Sequence, residues 1–327
     1  MRAPDFWFRS GDWRATLLRP FAALYGGLAE RRLKQAGVRA PVPVICVGNF
    51  TAGGAGKTPT AIAIAQMLRA AGEKPVFLTR GYGGALHGPH RVDLAKDDAR
   101  AVGDEALLLA RHAPVIKAVD RVAGAARAAE LGSVIIMDDG LQNPSLTKDF
   151  TIAVIDAETA IGNGLCLPAG PLRAPLMAQL HVTDAVIIMG EGHAADALAP
   201  RIAPRPIWHA NLAPDPHVIA ALRGHKVFAF AGIGRPEKFF SMLQREGVIV
   251  AQSQSFPDHA PFDAVTLDQL AARARADNLI PVTTEKDAAR IDVASWPELR
   301  IVPVTFVSPN DTAILSALQH TLSHRRV

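Results

Sequence analysis

Lys57 and Thr58 close a stretch built to hold phosphate. Apolar Val44-Ile45-Cys46-Val47 runs through Gly48-Asn49-Phe50 into Thr51-Ala52-Gly53-Gly54-Ala55-Gly56-Lys57-Thr58. Small residues let backbone N–H groups close around phosphate oxygens, Lys57 adds a point charge, and Thr58 offers a hydroxyl to Mg²⁺. A helix beginning at Lys57 aims the positive end of its dipole at the same anion. The leading glycine of the strict pattern is Thr51 here. Strand, loop, Lys-Thr and a following helical pattern all agree. The stretch is therefore read as a nucleoside-triphosphate loop, not as a glycine-rich turn with an incidental lysine. Val134-Ile135-Ile136-Met137 followed by Asp138-Asp139 supplies the other half of such a site. A strand buried on both faces delivers a carboxylate to its C-terminal end, where Mg²⁺ sits. Asp138 and Asp139 point to different sides of that strand end, so one of them lies near the metal. Thr58 and Asp139 are the expected metal pair, and either aspartate can support the metal or an attacking hydroxyl.

What receives the phosphoryl group separates two classes. A guanine-specific switch carries Asn-Lys-x-Asp, which does not occur in this chain. A kinase needs a carboxylate or base near the acceptor hydroxyl. The candidates are Asp104, Asp138, Asp139 and Asp156, with His259 of Phe256-Pro257-Asp258-His259 able to orient one of them or relay a proton. The alternative is a P-loop GTPase or ATPase that switches a protein partner. Turnover that rises with a phosphoryl acceptor marks the first class, and turnover that rises with a protein marks the second.

These groups require a sheet to hold them. Strands are expected at residues 44–48, 74–79, 114–119, 134–137, 151–155 and 184–189, with helices at 57–71, 103–111 and 121–131. Strands alternating with helices at this spacing imply βαβ units and a mostly parallel sheet. Residues 85–100 read as a polar excursion. Pro204, Pro206, Pro214 and Pro216 suggest a linker, after which strands are expected at 226–231, 247–251, 279–284 and 301–306, with helices at 236–245, 266–276 and 310–323. The fold class is therefore α/β: a P-loop domain over 35–205, a smaller α/β domain over 206–327 whose final helix can pack back on the first, and an N-terminal amphipathic helix over 1–34. At 327 residues the chain exceeds the usual single core, which supports two domains. Gly232-Ile233-Gly234 lacks the third glycine of a dinucleotide site and reads as an ordinary strand-to-helix turn.

Two cysteines, Cys46 and Cys166, cannot make a disulfide framework, and a reducing compartment is the simplest reading. No apolar run approaches the roughly 18 residues of a membrane span, and no cleavable signal pattern is read at the start. Residues 1–40 hold eight Lys and Arg, Arg2 among them, against three Asp and Glu, a surplus larger than the whole chain's formal +4. Trp7, Trp13 and Phe21 share this segment, and Leu17, Phe21, Leu24 and Leu28 recur at helical spacing. A basic helix with an aromatic and leucine stripe lies in a membrane interface or packs its stripe on the protein's own core. Because the arginines share their segment with an apolar stripe, nucleic acid is a weak reading.

In their order along the chain these motifs resemble the tetraacyldisaccharide 4′-kinase family of lipid A biosynthesis. The matches are Val47-Gly48-Asn49 into Gly53–Pro59, Arg80-Gly81-Tyr82-Gly83-Gly84, Gly103-Asp104-Glu105, Asp138-Asp139-Gly140-Leu141-Gln142, and Leu167-Pro168-Ala169-Gly170-Pro171-Leu172-Arg173. Phe228–Gly234, Phe256–His259 and Thr284-Glu285-Lys286-Asp287 complete the set. The family also carries Thr at the Thr51 position. The resemblance implies an ATP- and Mg²⁺-dependent kinase, peripheral on the cytoplasmic face of the bacterial inner membrane. Its acceptor would be the 4′-hydroxyl of an acylated disaccharide that already bears a 1-phosphate, with no nucleic acid and no obligate protein partner. It implies that Asp104 is the catalytic carboxylate, that His259 from the second domain is its partner, and that Arg173 stabilises charge in the cleft. Two positions depart from the family's pattern: Asn143 after Gln142, and Ala174 where Glu often follows the arginine.

Overall fold

The computed structural model describes residues 3–326; Met1, Arg2 and Val327, at the ends of the expected first and last segments, lie outside the described residues. In chain order the elements are α1 (Trp13–Leu33), β1 (Val44–Gly48), α2 (Lys57–Ala70), β2 (Pro75–Thr79), β3 (His90–Arg91), α3 (Ala99–Val102), α4 (Asp104–Ala110), β4 (Val115–Lys117), α5 (Arg121–Ala129), β5 (Val134–Asp138) and β6 (Phe150–Asp156). Then come α6 (Leu176–His181), β7 (Ala185–Met189), α7 (Ala199–Ile202), β8 (Ile207–Pro214), α8 (Pro216–Leu222), β9 (Lys226–Ala231), α9 (Pro236–Arg245), β10 (Ile249–Ser255), α10 (Ala264–Ala276), β11 (Ile280–Thr284), α11 (Glu285–Ala288), β12 (Arg300–Val302), β13 (Val304–Val307) and α12 (Asp311–Arg326).

The strands form two sheets, one of nine in the order β13-β8-β7-β6-β1-β5-β2-β4-β3 and one of four in the order β10-β9-β11-β12. The fold class is the expected α/β arrangement with mostly parallel pairing; among the described residues only the outer pairs β3·β4 and β13·β8 run antiparallel. β1, β2, β5 and β7 are buried at every position, as their unbroken apolar runs require of strands covered on both faces. One face of the large sheet packs Ile64 and Leu68 of α2, Leu109 of α4, and Ile314, Leu318 and Leu322 of α12. The other packs Ala125 and Ala128 of α5 with Leu141, Leu172, Leu176 and Leu180. Asp120, Asp215 and Asp263 accept first-turn N–H groups and start α5, α8 and α10.

Three expectations change. The proline-flanked segment after residue 205, read as a linker and domain boundary, is β8, which extends the large sheet beside β7. Its outer positions are half exposed, so it lacks the apolar run that announces a buried strand. The single strand expected over 301–306 is two. Pro303 has no N–H for a ladder, and the chain changes sheets there: β12 pairs with β11, and β13 pairs with β8. The strand expected to stop at residue 251 runs to Ser255, because β10 is an edge strand whose polar Gln252 and Gln254 carry no apolar signal.

α12 belongs energetically to the large sheet, although its sequence follows the small one. Leu318→Ala, at a fully buried position, is expected to cost about 2–5 kcal/mol. Chemical unfolding followed by tryptophan fluorescence measures it, and a loss below about 0.5 kcal/mol would show that the helix is not part of the core.

Candidate active site

The phosphate loop leaves β1 at the middle of the large sheet, between β5 and β6. Gly48 is required there, since a Cβ would sit 2.5 Å from that of Leu141. Buried Asn49 donates to Gly53 O at 3.0 Å and ties the loop across itself. Gly56 turns the chain into α2 with φ +87°, a conformation that favours glycine. Lys57 Nζ lies 3.4 Å from Gly53 O and 3.7 Å from Asp139 Oδ1. Thr51 bridges to Leu172, the Ala52 N–H donates to Pro171 O at 2.8 Å, and the Arg173 N–H donates to Phe50 O at 2.9 Å. The phosphate loop and the segment carrying Arg173 thus form one piece of backbone. Gln142 and fully buried Gln179 brace it: Gln142 donates to Asn49 O and Gln179 Oε1, both at 2.7 Å, and Gln179 donates to Phe50 O and Ala174 O.

The two aspartates at the end of β5 separate, and Asp138 is the one that meets Thr58. Parallel register sets Val47 of β1 beside Asp138 of β5. Thr58 Oγ1 donates to Asp138 Oδ2 at 3.2 Å, and Asp138 Oδ1 is buried with no hydrogen-bond partner. Burial, together with the charges of Glu105 and Asp139, raises the proton affinity of Asp138 well above the usual carboxylate range. Asp139 takes a left-handed backbone, φ +53°, and turns instead to Arg173 Nη1 at 2.7 Å and to Lys57. Burial opposes its ionisation, but Lys57 and Arg173 outweigh burial and lower its pKa. The pair that fits Mg²⁺ is therefore Thr58 and Asp138, not Thr58 and Asp139. An orphaned carboxylate oxygen beside a hydroxyl matches an ion held by one or two protein oxygens and by substrate phosphates.

Asp104 and His259 meet across the two sheets. Asp104 opens α4 and is 3% exposed. His259 Nδ1 lies 2.9 Å from Asp104 Oδ2 and 3.1 Å from Oδ1. His259 has φ +59°, an uncommon conformation for a non-glycine residue and one that concentrates at functional sites. Its ring lies 5.2 Å from that of exposed Tyr82, which the Arg80–Gly84 turn presents to it. Burial pushes the Asp104 pKa up, but the hydrogen bond to His259 and the charges of Lys286, His259 and Arg290 push harder and leave it lowered. Lys286 Nζ also lies 3.2 Å from Glu105 and 3.3 Å from Asp258. Asp156, another candidate base, is occupied differently. It ends β6 bound to Arg235 Nη1 at 2.8 Å and to Lys238, and joins the two sheets.

Sequence reasoning placed Lys286 only as part of a matching motif. Glu105 likewise stands only in a matching motif, Gln179 carries no local signal for its brace of the loop, and Arg235, Lys238 and Arg290 are ordinary residues until the two sheets meet. Of the two departures, Asn143 Oδ1 accepts from the Ser145 N–H and hydroxyl and caps its own turn, and Ala174 is fully buried. The arrangement offers a triphosphate loop, a metal pair and an ionised carboxylate held by histidine, which are the parts that phosphoryl transfer to a hydroxyl needs.

Comparison with known proteins agrees with this chemistry. The family model described as tetraacyldisaccharide-1-P 4′-kinase (LpxK) matches residues 14–323. A tetraacyldisaccharide 4′-kinase of Bradyrhizobium sp. strain BTAi1 is 48% identical, over 100% of this chain and 97% of that protein. One of Methylobacterium nodulans is 53% identical, over 97% of this chain and 95% of its own length. The crystal structure of LpxK from Aquifex aeolicus in complex with ATP superposes with a TM-score of 0.75 at 24% identity, over 94% of this chain and 99% of that one, a likeness of fold.

Lys57→Ala is expected to leave the unfolding midpoint unchanged and to weaken ATP binding at least about tenfold, since the lysine's charge is matched to phosphates. Calorimetric titration of ATP with parallel thermal unfolding reads both. Parent-like affinity in a folded variant would reject the loop as the nucleotide site.

Proposed function

The chain belongs to the tetraacyldisaccharide-1-P 4′-kinase family, and on that premise we propose that it transfers the γ-phosphoryl group of ATP to the 4′-hydroxyl of a tetraacyldisaccharide 1-phosphate, a lipid A precursor. The observation that carries the residue-level reading is the Asp104–His259 hydrogen bond, made between two lobes beside a phosphate loop. The loop N–H groups and Lys57 hold the β- and γ-phosphates. Thr58 and Asp138 would hold Mg²⁺, which would neutralise charge on the phosphate oxygens. Arg173, kept at the loop by Asp139, steadies the transferring phosphoryl oxygens. Asp104 accepts the proton of the attacking hydroxyl, and His259 orients the carboxylate. Because His259 comes from the small-sheet lobe, the pair is complete only when the lobes are together, which limits wasteful transfer to water.

The lobes follow the sheets. One comprises the nine-stranded sheet with α12, and the other runs from α8 to β12. The N-terminal helix α1 is a third part. Its small residues Ala15, Ala22 and Gly26 are buried, while Trp13, Leu17, Phe21, Leu24 and Leu28 are 72, 66, 63, 68 and 54% exposed. The stripe thus faces away from the core. Among the described residues no helix is long and apolar enough to cross a membrane. An exposed apolar stripe beside Arg14, Arg19, Arg31 and Arg32 suits a helix lying in an anionic lipid surface, and the acyl chains of the substrate cannot leave the bilayer cheaply. We assign the enzyme to the cytoplasmic face of the inner membrane, where ATP is available.

Two measurements test this reading. If Asp104 and His259 act as one unit, the double alanine variant should be little worse than Asp104→Ala alone in transfer from labelled ATP to the disaccharide acceptor. Independent, multiplying losses would contradict the pair. For α1, co-sedimentation with anionic vesicles should occur at low salt, weaken at high salt, and fall when Phe21 and Leu24 become Ser. A Ser variant that sediments as well as the parent would reject the helix as the lipid contact.

A further inference from the structure

Arg290 is a buried cation to which the mechanism above gives no task. It lies two residues beyond α11, and its side chain is 7% exposed. Nη1 donates to Ala260 O at 2.7 Å, Nη2 donates to Gly232 O at 3.0 Å, and Nη2 also meets Asp287. Ala260 follows His259 directly, and Gly232 O also accepts the backbone N–H of His259 at 3.3 Å. On the side of the large-sheet lobe, Nε faces Asp104 Oδ2 at 3.5 Å. That nitrogen is buried and has no hydrogen-bond partner. A buried donor left unmatched is costly, and the Asp104 carboxylate stands 3.5 Å from it.

We propose that Arg290 is a positioning residue for phosphoryl transfer: it holds the His259 loop through two carbonyls and presents Nε–H to Asp104, so that one guanidinium sets both members of the pair. The proposal rests on reading Asp104 and His259 as the proton-accepting pair. Arginine suits the task because its planar fork reaches several acceptors at fixed angles while its charge stays on; lysine offers the charge without the fork. Phe262 lies 5.2 Å from the guanidinium carbon and backs the plane.

The charged and titratable surroundings fix the sign of the pH effect. Asp104 faces His259 from the 256–260 loop, Lys286 from α11, and Arg290, with Glu105 beside it on α4. His259 in turn faces Tyr82, Asp258 and Lys286, and Arg290 faces Asp287. Asp104 works as the carboxylate. Removing one cation makes it easier to protonate, so activity is lost at a higher pH as pH falls.

The test uses the full chain, ATP and the acylated disaccharide 1-phosphate in mixed micelles, with Arg290→Met and Arg290→Lys. For Arg290→Met we expect kcat to fall about 10²-fold, the penalty of a misplaced catalytic group, with both KM values within about threefold of the parent. The acidic limb of kcat/KM should move up by about one pH unit. Arg290→Lys should return the limb towards the parent while kcat stays low. A folded Arg290→Met with kcat within about threefold of the parent, or with an unmoved acidic limb, overturns the proposal. So does Arg290→Lys with parent-level kcat, which also decides the matter should the Met variant fail to fold. Asp104→Ala, assayed alongside, separates the two readings: parent-level activity there rejects the pair itself, whatever Arg290 does.

Discussion

Burying carboxylates is the constraint from which the rest of the site follows. Asp104, Asp138, Asp139 and Asp156 all stand at α4 or at the carboxyl ends of β5 and β6, and each is at least partly buried. An ionised carboxylate withdrawn from water needs cations or hydrogen bonds to stay charged. Asp139 has Lys57 and Arg173, Asp104 has His259, Lys286 and Arg290, and Asp156 has Arg235 and Lys238. Asp138 differs: its side-chain hydrogen bond is to a hydroxyl, one oxygen is unmatched, and its proton affinity rises accordingly. A divalent cation supplies what that site needs, which is why the chemistry of this donor set favours Asp138 over Asp139 as the metal's carboxylate.

Five of these positively charged or protonatable partners, His259, Lys286, Arg290, Arg235 and Lys238, come from the small-sheet lobe. The electrostatics of the site and the apposition of the lobes are therefore one property. Separating the lobes strips Asp104 and Asp156 of their partners together, and bringing the lobes together restores both. The phosphate loop feels the same contact, since a Cβ on Gly234 would lie 3.2 Å from the Gly54 N–H nitrogen. A Gly-Ile-Gly too short for a dinucleotide signature here serves another purpose. It lets the turn before α9 approach the loop backbone closely.

Local patterns made the central strands and the phosphate loop legible. β1, β2 and β4 to β7 announce themselves by apolar runs, and Thr51–Thr58 by small residues ending in Lys-Thr. What lay outside local pattern was decided by pairing. β8 is a strand because β7 and β13 flank it, and Pro303 divides two strands because each finds a partner in a different sheet. Which aspartate meets Thr58 depends on geometry of the same kind: strand alternation predicts that Asp138 and Asp139 diverge, and the left-handed turn at Asp139 sends that residue to Arg173 while Asp138 accepts from Thr58. Arg290 carries no local signal, and Lys286 stands out only within a family motif. Their meaning comes from Asp104, more than 150 residues earlier, and only the meeting of two sheets brings them together.

The proposed lipid-facing helix is mechanically joined to the same site. α1 lays its small face against the segment that leads to Arg173: a Cβ on Gly26 would meet Cys166 Sγ at 3.2 Å and Pro175 at 3.5 Å. Just before α1, the Trp7 indole donates to Pro168 O at 3.0 Å, and Trp7 O accepts the Asn163 N–H at 2.7 Å. From Pro168 the chain runs five residues to Arg173, whose backbone is bonded to the phosphate loop at Phe50. Larger residues on α1's inner face at this contact would push the helix off the segment, which explains why Ala22 and Gly26 line that side while Trp13, Leu17, Phe21, Leu24 and Leu28 face out. A helix anchored in lipid through its outer stripe would thus hold the Arg173 segment, and with it the phosphate loop, at a set height above the bilayer. That geometry would let a soluble nucleotide site reach a hydroxyl whose acyl chains stay in the membrane.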